Sequence, residues 1–261
     1  MVKKAILVAG FGSSYTAAWE KAILPIEEKI KQAFSDYDFE RAFLSGKIIK
    51  ILQSRNGMQV ENVLQVLEKL VKGKVDEVII QPLLVINGIE YEKLLHDMEP
   101  YRDQFSRMSI GTPLLNTADD FEAITQAIQT TVADFQTDAV LFMGHGSEHP
   151  ANEAYAKIKN RLDDNKPNNI YIATIEGSPT LEDIIPQLKQ KKISSVTLIP
   201  FMLVAGDHAS NDMAGDNEDS WKSILEREGF QVEINLTGIG EWTIVQSLLT
   251  AHAATCIGNN Q

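Results

Sequence analysis

The chain has 261 residues, of which 44% are hydrophobic and 23% charged, a composition that excludes a wholly disordered protein and suffices for one large or two small cores. Its net charge of −12 has the wrong sign for a protein that neutralises nucleic-acid phosphates, so we expect no nucleic-acid partner. The single cysteine excludes an internal disulfide and a cysteine-based zinc site.

The N-terminal apolar run is typical of a buried strand, not of a leader peptide. It covers only Ala5–Ala9 before Gly10 and Gly12 interrupt it, which is shorter than the roughly 7–15 residues of a signal-peptide core. No stretch of the sequence approaches the about 18 apolar residues that indicate a membrane helix. We therefore expect a cytoplasmic protein that does not bind a membrane.

Short runs rich in Val, Ile and Leu alternate with longer segments of helical period, which predicts an α/β fold with parallel strands joined by helices. The predicted strands are Lys4–Ala9, Phe39–Phe43, Glu77–Val85, Arg107–Gly111, Ala139–Gly144, Ile170–Ile175, Ser195–Leu203 and Gln231–Leu236. Pro25 lies inside the first helical segment and predicts a kink or break there. Thr117 with Asp120, and Thr180 with Asp183, have the spacing of capping boxes and predict two helix starts.

An internal repeat indicates two copies of one architecture. The segment Ala5–Ser13 matches Ala139–Ser147 at an offset of 134 residues, and Val78–Gly88 matches Val196–Gly206 at an offset of 118. Both copies of the second segment carry a proline at the same place, where a strand would be expected to have an edge or a bulge. We therefore expect two similar domains, each a parallel sheet flanked by helices, with an active-site cleft between them.

The polar stretch Asp134–Asp138 is the expected division between these domains. The first domain would then span residues 1–133, and the second, which carries the candidate metal site, residues 134–242. A C-terminal helix at about 243–261 is expected to pack back on the first domain.

The repeat also selects candidate functional residues, because ligands of parallel α/β sheets bind outside the carboxyl ends of the strands. The first matched position holds Phe11 in one copy and His145 in the other, and the second, two residues past a shared glycine, holds Glu90 and His208. Glu176 follows another predicted strand. A single histidine at a strand end is as often a half-exposed residue hydrogen-bonded to a carbonyl as it is a metal ligand. Two imidazoles with a carboxylate indicate a site for a borderline metal such as Zn, Cu, Fe, Ni or Co. So few protein ligands leave coordination positions open, which suits a metal that is handed on.

Other motifs favour less specific interpretations. The loop Gly10–Tyr15 lacks the third glycine of a dinucleotide fingerprint, although Ser13 and Ser14 before a helix could either bind a carboxylate or cap the helix. The segment His145–His149 matches the H-x-x-E-H string of zinc peptidases, but it follows a strand and precedes a proline, so no helix would present both histidines. The acidic segment Asp207–Asp219 lacks calcium-loop spacing and is interpreted as a solvated loop, with recruitment of metal ions as the less favoured alternative.

Several segments together resemble the class II tetrapyrrole chelatases, in particular the anaerobic-type sirohydrochlorin cobaltochelatases. They are Phe11–Tyr15, Arg41–Gly46, Ile86–Lys93, Ile110–Leu115, Met143–Gly146, Leu203–Met213, Asp219–Lys222 and Leu236–Glu241. The resemblance extends nearly end to end, and Gly-Asp-His-Ala-Ser-Asn-Asp-Met is its most specific string. Two mild departures concern the substrate side: Ser13 stands where the family commonly has threonine, and Gly-Ser-Pro follows Glu176.

The resemblance implies a fold of two similar α/β domains and a role for each selected residue. The metal ligands would be His145, Glu176 and His208; the catalytic groups His145, His208 and Glu90; and the substrate-binding residues Phe11, Ser13, Ser14 and Tyr15.

The activity implied by the resemblance is insertion of Co²⁺ into sirohydrochlorin with release of two protons, in the anaerobic cobalamin pathway. Co²⁺ would be a substrate, with no nucleotide or redox cofactor, and the partners would be the tetrapyrrole and a divalent metal. Fe²⁺ or Ni²⁺ as the metal, or a non-catalytic carrier of metal or tetrapyrrole, are alternatives. No segment of the sequence marks a symmetric interface, so the oligomeric state stays open.

Overall fold

The computed structural model describes residues 2–56, 59–165 and 169–257, in which strands and helices alternate as predicted. The strands are β1 Lys4–Gly10, β2 Asp38–Phe43, β3 Glu77–Leu83, β4 Arg107–Ile110, β5 Ala139–Gly146, β6 Ile170–Glu176, β7 Ser195–Pro200 and β8 Gln231–Ile234. The helices are α1 Thr16–Ala33, α2 Gly46–Asn56, α3 Val63–Lys72, α4 Ile89–Met98, α5 Ala118–Val132, α6 Glu153–Asn165, α7 Leu181–Gln190, α8 Trp221–Arg227 and α9 Thr243–Thr255. Every predicted strand is present, and none of the helices in these ranges has the length and hydropathy to span a membrane.

The strands form two four-stranded parallel sheets of identical topology. Their orders are β2-β1-β3-β4 and β6-β5-β7-β8, so β5 to β8 repeat β1 to β4. The pairing register repeats too, since Ala9 pairs with Pro82 in the first sheet and their counterparts Met143 and Pro200 pair in the second. The α/β fold and its duplication are therefore confirmed.

Each of the two repeated prolines lies in a part of its strand that is paired on one side only. β4 pairs with β3 only as far as Ile80, and β8 pairs with β7 only as far as Leu198, so Pro82 and Pro200 lie beyond the end of the shorter strand. Proline has no N–H to donate to a ladder and is tolerated at such a local edge.

Contacts divide the chain into two units, Met1–Asn116 with Val245–Gln261, and Thr117–Ile244. This division differs from the predicted boundary after residue 133, because α5 belongs to the second unit. The guanidinium of Arg161 in α6 lies over the Phe121 ring of α5 at 5.2 Å. A polar linker after α5 therefore does not mark the boundary, since the packing of the helix decides to which sheet it belongs.

The C-terminal helix α9 groups with the first unit. Lys29 of α1 donates to the hydroxyl of Ser247 at 2.7 Å, and Arg107 of β4 donates to the carbonyl of Cys256 at 2.5 Å. The last four residues of the predicted helix, 258–261, lie outside the described residues.

The predicted capping boxes lie at helix starts. Asp120 accepts from the backbone N–H of Thr117 at 2.6 Å, and the Thr117 hydroxyl accepts from the N–H of Asp120 at 3.3 Å, just before α5. Before α7, Asp183 accepts from the N–H of Thr180 at 2.9 Å. Each contact satisfies a backbone donor that the helix itself leaves unpaired.

Of the predicted kink or break at Pro25, the break is wrong, because α1 continues through it from Thr16 to Ala33, and the kink stays a prediction. Ile23, Ile26 and Ile30 are buried on the same helix. A proline inside a helix costs about 3 kcal/mol, whereas full burial of each isoleucine contributes roughly 1.5–3 kcal/mol. Burial of the apolar face therefore outweighs the lost hydrogen bond.

A buried ion pair joins β2 to α1 in the first unit. Glu27 is 1% exposed and accepts from two nitrogens of Arg41, with Nε to Oε1 at 2.6 Å. The Arg41 guanidinium also lies over the ring of Trp19 at 4.5 Å. The pair thus fixes the edge strand β2 against α1.

Removal of either partner of this pair is expected to destabilise the protein unequally. Arg41→Met leaves the buried Glu27 carboxylate without a counter-ion, and we expect the free energy of unfolding to fall by about 3 kcal/mol. Glu27→Gln leaves a partly exposed guanidinium that water can still reach, so the loss should be smaller. Chemical denaturation of both variants measures the difference, and equal losses would contradict this account.

Candidate metal site

His145 lies at the carboxyl end of β5 between Gly144 and Gly146. Neighbouring atoms lie so close to both positions that neither has room for a side chain. A Cβ on Gly144 would lie 2.4 Å from the ring of Tyr155. Gly146 has φ +80°, and a Cβ there would lie 1.6 Å from the carbonyl oxygen of Glu176. Glycine thus lets β5 and β6 approach closely, with Gly146 paired to Glu176 in the parallel register. As a result, the His145 Nδ1 lies 3.9 Å from the Glu176 Oε2.

Tyr155 lies beneath this turn. Its hydroxyl accepts from the N–H of Gly146 at 3.4 Å, and its ring packs edge-on against Phe201. Burial raises the pKa of Tyr155 to about 12, opposed in part by the Gly146 N–H. The phenol therefore stays neutral at physiological pH and acts as a fixed support for the His145 loop.

Asn152 connects the loops that follow β5 and β6. Its Oδ1 accepts from the N–H of Ser147 at 3.1 Å, and its Nδ2 donates to the carbonyl of Ser178 at 2.7 Å. One amide side chain therefore ties the segment after His145 to the segment after Glu176.

The second histidine lies at the start of a π-helical turn, His208–Met213, beyond the end of β7. Ala209 and Met213 are fully buried and anchor this turn in the core. β5 and β7 are neighbours at the point where the strand order of the sheet reverses, which is the usual ligand position in such sheets. The rings of His145 and His208 meet edge to face, with centroids 4.9 Å apart.

The hydrogen bonds of both imidazoles fix their tautomers. The His145 Nδ1 lies 3.0 Å from the carbonyl oxygen of Gly146, and the His208 Nδ1 lies 2.5 Å from the Oδ2 of Asp212. A carbonyl and a carboxylate can only accept, so each Nδ1 carries the proton. In the neutral ring each Nε2 then keeps a lone pair, the group through which an imidazole can bind a metal.

The three side chains predicted as metal ligands lie together in the second unit and are open to solvent. Their exposed fractions are 43% for His145, 61% for Glu176 and 42% for His208. Across residues 2–56, 59–165 and 169–257, no three His, Cys, Asp or Glu side chains, these three included, are arranged so that they could hold a metal ion as they stand. Two imidazoles beside a carboxylate suit a borderline divalent ion, and solvent can deliver it to an open cluster.

The other predicted site residues belong to the first unit. Phe11 is exposed, and Ser13 is buried with its hydroxyl accepting from the N–H of Tyr15 at 3.1 Å. Tyr15 is the residue that precedes α1, so neither Ser13 nor Ser14 is its N-cap. Glu90 is half-buried in the first turn of α4. The roles of these residues stay predictions.

A cavity of about 390 Å³ in the first unit contains one of the predicted residues. It is lined by residues of the β1 loop, α1, β2 and α2, among them Ser13, Trp19, Arg41, Phe43 and Leu52. None of the clustered imidazole or carboxylate side chains of the second unit lines it, so it is separate from the candidate metal site.

Two motifs have structural explanations. His149 precedes a short 3₁₀ turn, and its Nδ1 accepts from the N–H of Ala151 at 3.1 Å, so the H-x-x-E-H string is not a helical zinc motif. The acidic segment supplies Asp212 to His208, a contact that sequence analysis missed. The four-residue spacing from His208 to Asp212 was the available signal, because such residues share one face of a helical turn.

Comparison with known proteins agrees with the fold and identifies the family. The model of the family described as cobalt chelatase (CbiK) matches residues 4–258. The sirohydrochlorin cobaltochelatase of Salmonella typhimurium is 38% identical over 252 residues, covering 96% of this chain and 95% of that protein. Sirohydrochlorin cobaltochelatase CbiKC of Nitratidesulfovibrio vulgaris is 34% identical over 249 residues, covering 93% and 86%.

A solved structure supports the fold. SirB from Bacillus subtilis with Fe³⁺ superimposes with a TM-score of 0.67 at 19% identity, covering 98% of this chain and 96% of that one. The near full-length family match, together with the relatives above 30% identity, shows that this chain belongs to the cobalt chelatase (CbiK) family.

Proposed function

We propose that this protein inserts Co²⁺ into sirohydrochlorin and releases two protons. The observation that carries the proposal is the convergence of His145, His208 and Glu176 at the carboxyl ends of three strands of one sheet. The curated relatives at 34–38% identity are named sirohydrochlorin cobaltochelatases. We also place the activity in the cytoplasm, as the sequence predicts.

The metal ligands would act by replacing water around the incoming ion. The Nε2 atoms of His145 and His208 and the carboxylate of Glu176 are three donors, which leave further coordination positions for water and then for pyrrole nitrogens. Their exposure lets the ion arrive from solvent. Transfer to the macrocycle is favourable because four nitrogens of a single chelating ring replace the three protein donors.

Metal insertion also requires removal of the two pyrrole N–H protons. Imidazoles and carboxylates are the usual general bases at neutral pH, so Glu90 would accept them, or His145 or His208 once its Nε2 has released the metal. The loop of Phe11, Ser13, Ser14 and Tyr15 would contact the tetrapyrrole. Because the substrate bears many carboxylates and the chain carries a net charge of −12, binding requires a locally basic surface within an acidic protein.

The test is the rate of cobalt insertion followed by the absorbance change of the macrocycle. Purified protein should accelerate the reaction above the spontaneous rate and turn over more than once. An unchanged rate with stoichiometric binding would instead identify a non-catalytic carrier. His96→Ala is a suitable control for histidine removal, since His96 is exposed in the last turn of α4.

Which metal ion the protein inserts is determined by an experiment in which Co²⁺, Fe²⁺ and Ni²⁺ compete. Imidazole and carboxylate ligands bind Co²⁺, Fe²⁺ and Ni²⁺ alike, so geometry and supply determine selectivity. Insertion rates at buffered free concentrations of each ion should favour Co²⁺ if the proposal holds, and a higher kcat/KM for Fe²⁺ or Ni²⁺ would assign the protein to another tetrapyrrole pathway.

A further inference from the structure

We infer that Asp212 is a positioning residue that holds His208 in its metal-binding tautomer and orientation. This inference rests on the proposed function in one respect, that His208 is a metal ligand. Asp212 itself would touch neither the metal nor the tetrapyrrole, since its Oδ2 contacts Nδ1 of His208 and the metal would bind Nε2, on the other side of the ring.

The contact between the two side chains is short and local. The His208 Nδ1 lies 2.5 Å from the Asp212 Oδ2 across one turn, within hydrogen-bond distance, and an ionised carboxylate as acceptor makes such a bond charge-assisted. The turn is fixed by the buried Ala209 and Met213, which directly follow His208 and Asp212 in the chain. The backbone that carries both partners is therefore anchored in the core.

Asp212 differs in its partner from Asp207 and Asp216 of the same loop. Asp216 pairs with Lys222 at 2.7 Å, and Asp207 accepts from Asn211 at 2.8 Å. Within the part of the chain that the structure describes, the recorded ion-pair partner of Asp212 is His208, with no lysine or arginine. Metal-ligating histidines usually donate the N–H of their second ring nitrogen to a carboxylate, a carbonyl or water. Asp212 is such a carboxylate for His208.

The tautomer decides whether His208 can bind a metal. A neutral imidazole has one N–H and one lone pair, and a proton on Nε2 would block the nitrogen that faces away from Asp212. The carboxylate accepts only from Nδ1–H, so it keeps the Nε2 lone pair available and limits rotation of the ring. His145 obtains the same tautomer from the Gly146 carbonyl, which no side-chain substitution removes. Substitution of Asp212 therefore tests whether a side-chain contact sets the tautomer of a metal-binding histidine.

The first measurement uses metal-free protein with ¹⁵N-labelled histidine under mildly alkaline conditions. Long-range ¹H–¹⁵N spectra report which ring nitrogen carries the proton. We expect His208 to be protonated at Nδ1 in the unmodified protein and to shift towards the Nε2–H form in Asp212→Ala. Asp212→Asn should retain the Nδ1–H form, because its amide oxygen still accepts the hydrogen bond.

The second measurement is Co²⁺ affinity without tetrapyrrole. We expect Asp212→Ala to weaken it by about 10–100-fold, Asp212→Asn to weaken it less, and the control Asp216→Ala, in the same loop, to leave it unchanged. An unchanged tautomer and affinity in Asp212→Ala would overturn the inference. If the unmodified protein bound no Co²⁺, the proposed function would fail, while the tautomer of Asp212→Ala would still decide whether Asp212 positions the ring.

Discussion

His145→Ala and His208→Ala are each expected to lower kcat/KM for cobalt insertion by more than about 100-fold. Loss of a residue that only orients a ligand typically costs 10–100-fold, so loss of a ligand itself should cost more. Tetrapyrrole binding should change little, because the predicted substrate-binding loop, Phe11–Tyr15, lies in the other unit. Absorbance-monitored insertion and fluorescence titration of the macrocycle separate the two effects.

The matched control for these variants is His96→Ala, which removes an exposed imidazole and should leave insertion unchanged. Insertion at the full rate by either His145→Ala or His208→Ala would refute the assignment of the metal site. Loss of tetrapyrrole binding along with insertion would instead mean that these histidines also contact the macrocycle.

Gly146→Ala is expected to lower the free energy of unfolding by more than about 4 kcal/mol, a cost that marks an exceptional structural conflict. The new Cβ would lie 1.6 Å from the backbone oxygen of Glu176 and 2.5 Å from the Cβ of Thr174. Relief of these contacts requires β5 and β6 to separate at the ends that carry His145 and Glu176. Stability and cobalt insertion should therefore fall together.

Gly229→Ala separates backbone strain from this steric conflict. Gly229 also has a positive φ, +94°, but no neighbouring atom lies within 4 Å of its added Cβ. Left-handed strain alone should cost about 1–2 kcal/mol. Thermal and chemical denaturation of both variants gives the difference, and equal stability losses would mean that the close approach of β5 and β6 is not required.

Much of the fold could be predicted from sequence because its signals are local. Buried parallel strands appear as short runs of Val, Ile and Leu, and Asp120 and Asp183 mark helix starts through contacts only three residues long. The duplication was visible because the same glycine and proline recur where the backbone makes the same turn. Gly12 and Gly146 share a positive φ of +89° and +80°.

The sequence predicted less well wherever distant packing decides the outcome. Pro25 indicates a helix break by local rules, but the burial of its neighbours maintains the helix. The assignment of α5 to the second unit depends on contacts such as that of Phe121 with Arg161, which no composition of the following linker reveals.

Within the candidate site, the sequence by itself determined the types of the candidate ligands and their place in the fold. His145, His208 and Glu176 follow three strands, and parallel strands bring their carboxyl ends to one edge of a sheet. Only the tertiary structure decided how these side chains are oriented and which hydrogen bonds hold them and their loops. The contact of Asp212 with His208 and the bridge made by Asn152 depend on turn geometry and on residues 26 positions apart. Periodicity along a chain specifies which face a residue occupies, whereas a hydrogen bond also needs the distance and angle that folding sets.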